Sequence, residues 1–591
     1  MKNNFLKYAI GLTTAAGLIA CTTMVKRQMA STMTSFYDSD TCELNFCAEK
    51  KYDLVSSAGR EDLEKNLNRL IDKSASFKDS RSTSLDMDEL IRFNLGETSV
   101  VKASTAAIAV LKTDDPATAS VKIDEIFAAL KNNFRPPLDT EFQIFKLPIE
   151  FFKRVYYNKV DKQNLSDAAY TQDPAVSSLW KPVAPIKTLD VYTGFGRSDV
   201  NDYSDVVCEY DKAKSGWGMN PGFHIECDSK KFKVKVGNEV NSAPFNTRLY
   251  WALGYNVPVI DYVDKPLIKY SRKLLVQFNS RRVENFKFKL GDKVVKKLDH
   301  SNYHSPFEYI KEVVLKNETV VPVDEFKRKL LKDSVTLRSE VNDGNYNVDF
   351  ENQIKFIRFK PAAYLEKDDD VEIGAWRYDQ LGHENRREVR GLQILAAWVG
   401  NFDMRMDNTR LTYDKKSPSV IRHALVDVGS GLGESSLLPF KSSSDVEQMP
   451  WIVTKTYQDS VGDGEKVDRL QIIGLMNIEV NKAFQKMSFQ DGAWMVNKLC
   501  QITADQLKGS LIAAGLNSAE ARLAYEKLLS RRNQMVTDFE LTNDLASCIK
   551  PVNQKLTYSE SSNGYFTATL ANGLIVRAKN GLNYIDKGHL R

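Results

Sequence analysis

Histidine is scarce in this chain, with six residues scattered over 591. Cysteine is nearly as rare, and none of the seven shows the spacing of a metal site. Both shortages argue against a zinc centre. Neither sign of charge dominates. The 82 Lys and Arg stand against 77 Asp and Glu, and a net +5 gives no electrostatic footprint for nucleic acid. Beyond residue 20 no long uncharged apolar run occurs, so no bilayer-spanning helix is expected there. No internal repeat is found.

What is present begins at the N-terminus. Lys2 and Lys7 precede or open an apolar stretch, Tyr8 to Ala20, that ends Leu18-Ile19-Ala20-Cys21. A basic start, a short apolar run and small residues at a cut site describe a secretory signal. Leu-Ile-Ala-Cys resembles the lipobox of bacterial lipoproteins. The resemblance implies cleavage before Cys21, a diacylglyceryl thioether on its sulfur and acylation of the new amino terminus. The membrane is then a partner, and several acyl chains hold durably because each buried methylene adds about 0.8 kcal/mol. An ordinary secretory signal with a chance cysteine is the alternative. Thr22 is not the aspartate that retains many such proteins in the inner membrane, which implies a lipid-anchored place in the bacterial cell envelope, at the outer membrane. Export permits disulfides among Cys42, Cys47, Cys208, Cys227, Cys500 and Cys548.

The rest divides by pattern into an α+β chain. After the signal (1–20), a polar stretch reads as a flexible tether (21–50). A helical N-terminal region with a linker follows (51–185). Leu63, Leu67, Leu70 and Ile71 share one helix face, and Val121, Ile123, Ile126, Phe127 and Leu130 make another band. Pro174, Pro182 and Pro185 mark the linker. A β-rich unit spans 186–375. Its strands lie at Val206 to Tyr210, Phe223 to Cys227 and Phe232 to Val236, with a helix from Phe245 to Leu253. A basic insert (264–350) carries eleven Lys or Arg between Lys265 and Lys297, a solvated surface or a face for anionic lipid or an acidic partner. A helical unit covers 376–545, and strands close the chain (546–591). In the helical unit, Glu384 to Val399 is a strong helix with Gly400 as its cap. Its charged residues Glu384, Arg386, Arg387 and Glu388 read as a solvated face.

Three pieces carry chemistry. Lys235 ends a third strand behind a glycine-containing loop, Lys214-Ser215-Gly216-Trp217-Gly218. Asp403 and Asn408 stand five residues apart just after an apolar helix. Asp427-Val428-Gly429 follows a strand-turn-strand pattern. Together they resemble the protein-kinase-like fold, in its divergent branch with the HipA-type, CotH-type and lipid-kinase-like proteins. The resemblance implies two lobes, a small β-rich N-lobe and a helical C-lobe, preceded by the helical region. Lys233–Gly237 followed by Arg248–Tyr255 also resembles divergent bacterial proteins of this branch. Phosphoryl transfer is mostly positioning and charge neutralisation. By resemblance, Lys235 holds nucleotide phosphates, Gly216 and Gly218 belong to the nucleotide loop, Asp403 orients the acceptor hydroxyl, and Asn408 and Asp427 hold Mg²⁺. The implied cofactors are ATP and Mg²⁺, and the implied activity is a phosphotransferase on a protein, lipid or sugar acceptor. Asn401 replaces the usual catalytic-loop histidine and Phe402 the arginine before the aspartate. The helix after Lys235 holds no acid, so only Glu239, at its entrance, can pair with the lysine. Two alternatives stand beside the kinase: a catalytically inactive kinase-like binding module, and a structural surface lipoprotein in which Asp403, Asp407 and Asn408 merely cap a turn.

Strand register suggests one disulfide. The midpoint of Cys208 and Cys227 falls between Trp217 and Gly218, inside the proposed loop. In an antiparallel hairpin, residues equidistant from the turn face each other. Two free buried thiols are the alternative, reached if a bulge shifts the register.

Overall fold

Two short strands, β1 (Met33–Tyr37) and β2 (Glu49–Asp53), pair antiparallel ahead of three helices, α1 (Ser57–Phe77), α2 (Met87–Thr113) and α3 (Pro116–Asn133). The computed structural model describes residues 32–40, 49–77, 87–133, 159–199, 203–214, 221–237, 239–279, 283–290, 293–301, 305–331, 346–367, 370–433, 446, 449, 453–462, 464–472, 481–550, 557–560, 565–569 and 575–579. Leu63, Leu67 and Leu70 are buried, as are Ile123, Ile126, Phe127 and Leu130. Val121 is 53 % exposed, contrary to expectation. It precedes Ile123 by two residues, about 200° around the helix, and so faces away. The expected tether (21–50) likewise holds packed structure. Phe36 and Tyr37 are buried against Phe127, with ring centroids 5.7 and 4.6 Å away. Two adjacent aromatics in a polar stretch find the apolar helix face.

The proline-marked stretch 170–186 is not a free linker either. Leu179, Trp180 and Ile186 join the largest core, and Trp180 Nε1 donates to the Leu253 carbonyl at 2.7 Å. A meander follows: β3 (Val207–Ala213), β4 (Gly222–Cys227) and β5 (Lys230–Val236). The β4–β5 turn has positive φ at both Asp228 and Ser229, the backbone a two-residue hairpin needs. Then come α4 (Ser242–Ala252), β6 (Ile260–Val263), β7 (Leu267–Lys269), β8 (Ile310–Leu315), β9 (Val320–Pro322), β10 (Ile354–Phe359) and β11 (Ala362–Glu366). They form one nine-stranded sheet in the order β9-β8-β10-β7-β3-β4-β5-β11-β6. The insert (264–350) therefore extends the sheet rather than hanging from it, with β7 pairing β3 in parallel. Its basic hairpin, Val283–Leu290 with Lys293–Ser301, pairs as a separate sheet. Cys208 and Cys227 form a disulfide. The Glu209↔Glu226 register carries on to them, and the bulge at Asp211 lies loopward of the pair.

Beyond the sheet, β12 (Asp370–Gly374), α5 (Arg387–Val399), β13 (Thr409–Asp414) and β14 (Ser417–Leu425) lead to α6 (Phe489–Cys500), α7 (Ala504–Ala513) and α8 (Ser518–Asp538). β12, β13 and β14 make a small antiparallel sheet, and α1–α3 cover it: Ile373, Leu411, Tyr413 and Ile421 share the core of the N-terminal helices. α5 is the axis of the helical unit. Leu392, Leu395, Trp398 and Val399 are buried, and Trp398 Nε1 donates to the Leu528 carbonyl. Glu388 is 1 % exposed rather than solvated, because Arg386 reaches it at 2.6 Å. Thr503 with Gln506 and Ser488 with Asp491 form capping boxes, each satisfying otherwise orphan backbone donors. A second disulfide, Cys500–Cys548, spans 48 residues. Three strands, Thr557–Glu560, Tyr565–Thr569 and Ile575–Lys579, form a C-terminal meander, as expected there. Among the described residues no helix is long and apolar enough to cross a membrane.

Candidate functional site

β5 alternates. Phe232, Val234 and Val236 enter the core between the sheet and the insert, which turns Lys233 and Lys235 to the opposite face. Lys235 is flanked by Gly222 on β4 and Ala363 on β11. Its ammonium lies 2.6 Å from Glu239 Oε2 and 2.6 Å from Asp427 Oδ1. The pairing glutamate is thus the one at the helix entrance. Gly237 and Glu239 both have positive φ, and this sharp bend swings the Glu239 carboxylate back onto the strand. Side-chain exposure is 3 % for Lys235 and 6 % for Glu239 but 40 % for Asp427, so the cluster opens on the aspartate side.

Burial works to lower the Lys235 pKa, but Asp427 and Glu239 hold it above the ordinary lysine range. Burial raises the Glu239 carboxyl, with Lys235 opposing and Asp427 adding. Asp427 stays below the usual carboxylate range because Lys235 and Lys233 outweigh its burial. Further cations act on the same place. Lys233 is pushed down to about 8 by burial, with Lys235 and Lys367 adding. His224, opposite Lys233 on β4, is pushed down to about 4 by burial and by Lys367, Lys212 and Lys233.

Helix α4 locks the segment that carries Asp427. Asn246 Nδ2 donates to the Val428 carbonyl at 2.6 Å, and Ser242 Oγ donates to the Gly429 carbonyl. A Cβ on Gly429 would stand 2.3 Å from Glu239 Oε2, and one on Gly431 2.5 Å from Asn246 Nδ2. These glycines serve close approach. α4 is itself pinned by Arg248, whose guanidinium meets Asp261 at 2.8 Å and the carbonyls of Pro244 and Ile260.

α5 ends with Gly400 at φ +76° and Asn401 N–H donating back to the Ala396 carbonyl, a reversal that aims residues 401–408 toward the sheet. Asn401 is fully buried. Its Oδ1 accepts from Asp403 N–H, and its Nδ2 donates to Tyr250 Oη on α4. It braces the loop where a histidine was expected. Asp403 is paired with Arg405, Nε to Oδ1 at 2.5 Å. Asn408 Nδ2 donates to the Asp403 carbonyl at 2.7 Å. The Asn408 carbonyl accepts from Val426 N–H, so the loop and the Asp427 segment run side by side.

The structure therefore brings Lys235, Glu239 and Asp427 into direct contact and ties Asp403 and Asn408 to the adjoining strand end. Gly216, Gly218 and Cys21 lie outside the described residues. Sequence reasoning missed Lys233, His224, Ser242 and Asn246. Only the Lys-x-Lys alternation on β5 could have signalled the first. It also set a metal centre aside, yet Glu125, His383 and His423 converge. A scan against protein-family models, a search of curated proteins and a search of solved structures each gave no match.

Proposed function

We propose that the site around Lys235, Glu239 and Asp427 binds a nucleoside triphosphate with Mg²⁺ and transfers its terminal phosphoryl group to a hydroxyl of a protein, lipid or sugar. The carrying observation is the Lys235–Glu239–Asp427 contact. The lysine sits on the third strand of a meander, its glutamate at the entrance of the next helix, and its aspartate in the Asp-x-Gly segment, the parts a kinase-like enzyme needs. Around one ammonium the two carboxylates leave a net negative charge. Mg²⁺ taken by Asp427 and Asn408 would neutralise it and free Lys235 for phosphate, and Lys233 would add a second cation to the phosphate side. The two-lobed arrangement belongs to the same proposal: the sheet carrying Lys235 as N-lobe, and α5 with α6–α8 as C-lobe.

The proposal includes the location. Cys21 carries lipid, and the domain works at the cell envelope, on the outer membrane. The Asp403–Arg405 pair favours one second reading, a kinase-like module that binds nucleotide or another anionic envelope ligand without turnover, since the arginine occupies the carboxylate that would otherwise meet the acceptor hydroxyl.

Thermal unfolding with ATP, with and without Mg²⁺, tests the site. The melting temperature should rise only with both present. Asp427→Asn should remove that rise while leaving the unliganded melting temperature near its original value. No nucleotide-dependent shift in the wild-type protein rejects the site. Binding without phosphoryl release or transfer selects the second reading.

A further inference from the structure

Far from Lys235 in sequence, three side chains from three segments meet under the small sheet. Glu125 comes from α3, His423 from β14 and His383 from the 3-10 turn His383–Asn385 ahead of α5. His383 Nε2 lies 3.0 Å from Glu125 Oε1, and His423 Nε2 lies 3.0 Å from Glu125 Oε2. Both imidazoles are nearly inaccessible, at 2 % and 1 % exposure. Their other nitrogens are engaged. His383 Nδ1 faces the Arg377 carbonyl at 2.7 Å, and His423 Nδ1 faces Ser178 Oγ at 3.0 Å. Trp376 stands edge-on to both rings, its centroid 5.4 Å from each.

A backbone carbonyl only accepts, so His383 Nδ1 carries a proton. The neutral imidazole then presents a bare Nε2 lone pair to a carboxylate, two acceptors face to face. A divalent cation removes the conflict: it accepts the Nε2 lone pairs and one carboxylate oxygen together. Metal-binding histidines characteristically donate their second N–H to a carbonyl, as His383 does, which fixes the ring with Nε2 toward the ion.

We propose that Glu125, His383 and His423 form a structural binding site for a zinc-class divalent metal, fastening the N-terminal helices to the β12–β13–β14 sheet. Two histidines and one carboxylate are a donor set suited to zinc. The three ligand atoms lie within 4.8 Å of one another. Two atoms bonded to one tetrahedral zinc sit about 3.4 Å apart, so closure is a side-chain adjustment of about an ångström. The Trp376 wall and the deep burial suit a closed, structural centre. His423 also links the site to the Lys235 cluster, because its strand leads to Asp427, two residues beyond Leu425.

The test uses the full-length, untagged protein, stripped of metal with a chelator and titrated with Co²⁺ and with Zn²⁺. One equivalent of Co²⁺ should bind with the intense visible absorption of a tetrahedral site, Zn²⁺ should displace it, and Zn²⁺ should raise the melting temperature. Glu125→Gln and His423→Gln should each weaken Zn²⁺ binding by about tenfold or more. A wild-type protein with neither a saturable Co²⁺ spectrum nor a Zn²⁺-dependent melting shift overturns the site, and needs no variant to fold. Undiminished binding by both variants overturns it as well, because the ion then sits elsewhere.

Discussion

At Glu239 the backbone has φ +68°, a conformation that costs a non-glycine residue about 1–3 kcal/mol. The contact with Lys235 is what holds the side chain there, buried and paired. Replacing Lys235 by methionine should leave a buried carboxylate without its cation and destabilise the protein by about 3–5 kcal/mol. The loss has a pH signature. Burial already raises the Glu239 pKa, and without Lys235 it rises further. At low pH the folded state keeps the proton and escapes most of the penalty. As pH rises through the folded pKa the folded state must give that proton up, and stability falls. Urea unfolding of Lys235→Met across pH should show this slope, and Lys235→Met with Glu239→Gln should lack it. Equal slopes would mean that Glu239 is not the group left stranded. The residue types of the site were legible in the sequence, Glu239 by elimination, since α4 has no acid. The Lys233 environment was not, because its burial depends on neighbouring strands.

Elements explain why Gly429 and Gly431 follow Asp427. The Glu239 carboxylate at the entrance of α4 and the Asn246 side chain on it occupy the volumes that a Cβ on Gly429 and on Gly431 would need. Gly429→Ala should push the Glu239 carboxylate off Lys235 and reduce Mg²⁺-dependent nucleotide affinity by at least about tenfold, roughly 1.4 kcal/mol. The protein should remain folded by circular dichroism. Titration calorimetry that finds the affinity unchanged would show that the contact tolerates a methyl group. The disulfides work on other elements. By loop-closure entropy, Cys208–Cys227 contributes about 3 kcal/mol and Cys500–Cys548 about 4 kcal/mol. The first was visible in the sequence because hairpin register is arithmetic. The second joins residues whose separation says nothing about proximity.

Across the whole molecule, the N-terminal helices are not a remote spacer. They cover the β12–β13–β14 sheet, and α2 brings Lys102 within the electrostatic reach of Glu372 and Lys367, which also act on Lys233. A change in the N-terminal helices thus has a packed route to the site. The proposed anchor is tested by Cys21→Ser in a bacterial expression host. The variant should lose the lipid mass and move from the detergent phase to the aqueous phase. Unchanged partitioning would refute lipidation.

Local rules were enough for the α+β class, the β3–β4–β5 meander, the capped helix α5 and the order in which Lys235, Asp403, Asn408 and Asp427 occur. Hydrophobic period and turn chemistry act over a few residues and are written directly in the chain. Local rules also misread Phe36–Tyr37 as tether and 170–186 as linker, since short aromatic or apolar segments pack only once a larger surface exists to receive them. Tertiary structure alone decided that the insert would extend the sheet, that Glu388 would be buried, and that Glu125 would meet His383 and His423 from positions 258 and 298 residues away. Such contacts depend on closing long loops around a shared core, and a linear pattern carries no record of which distant side chains that closure brings face to face.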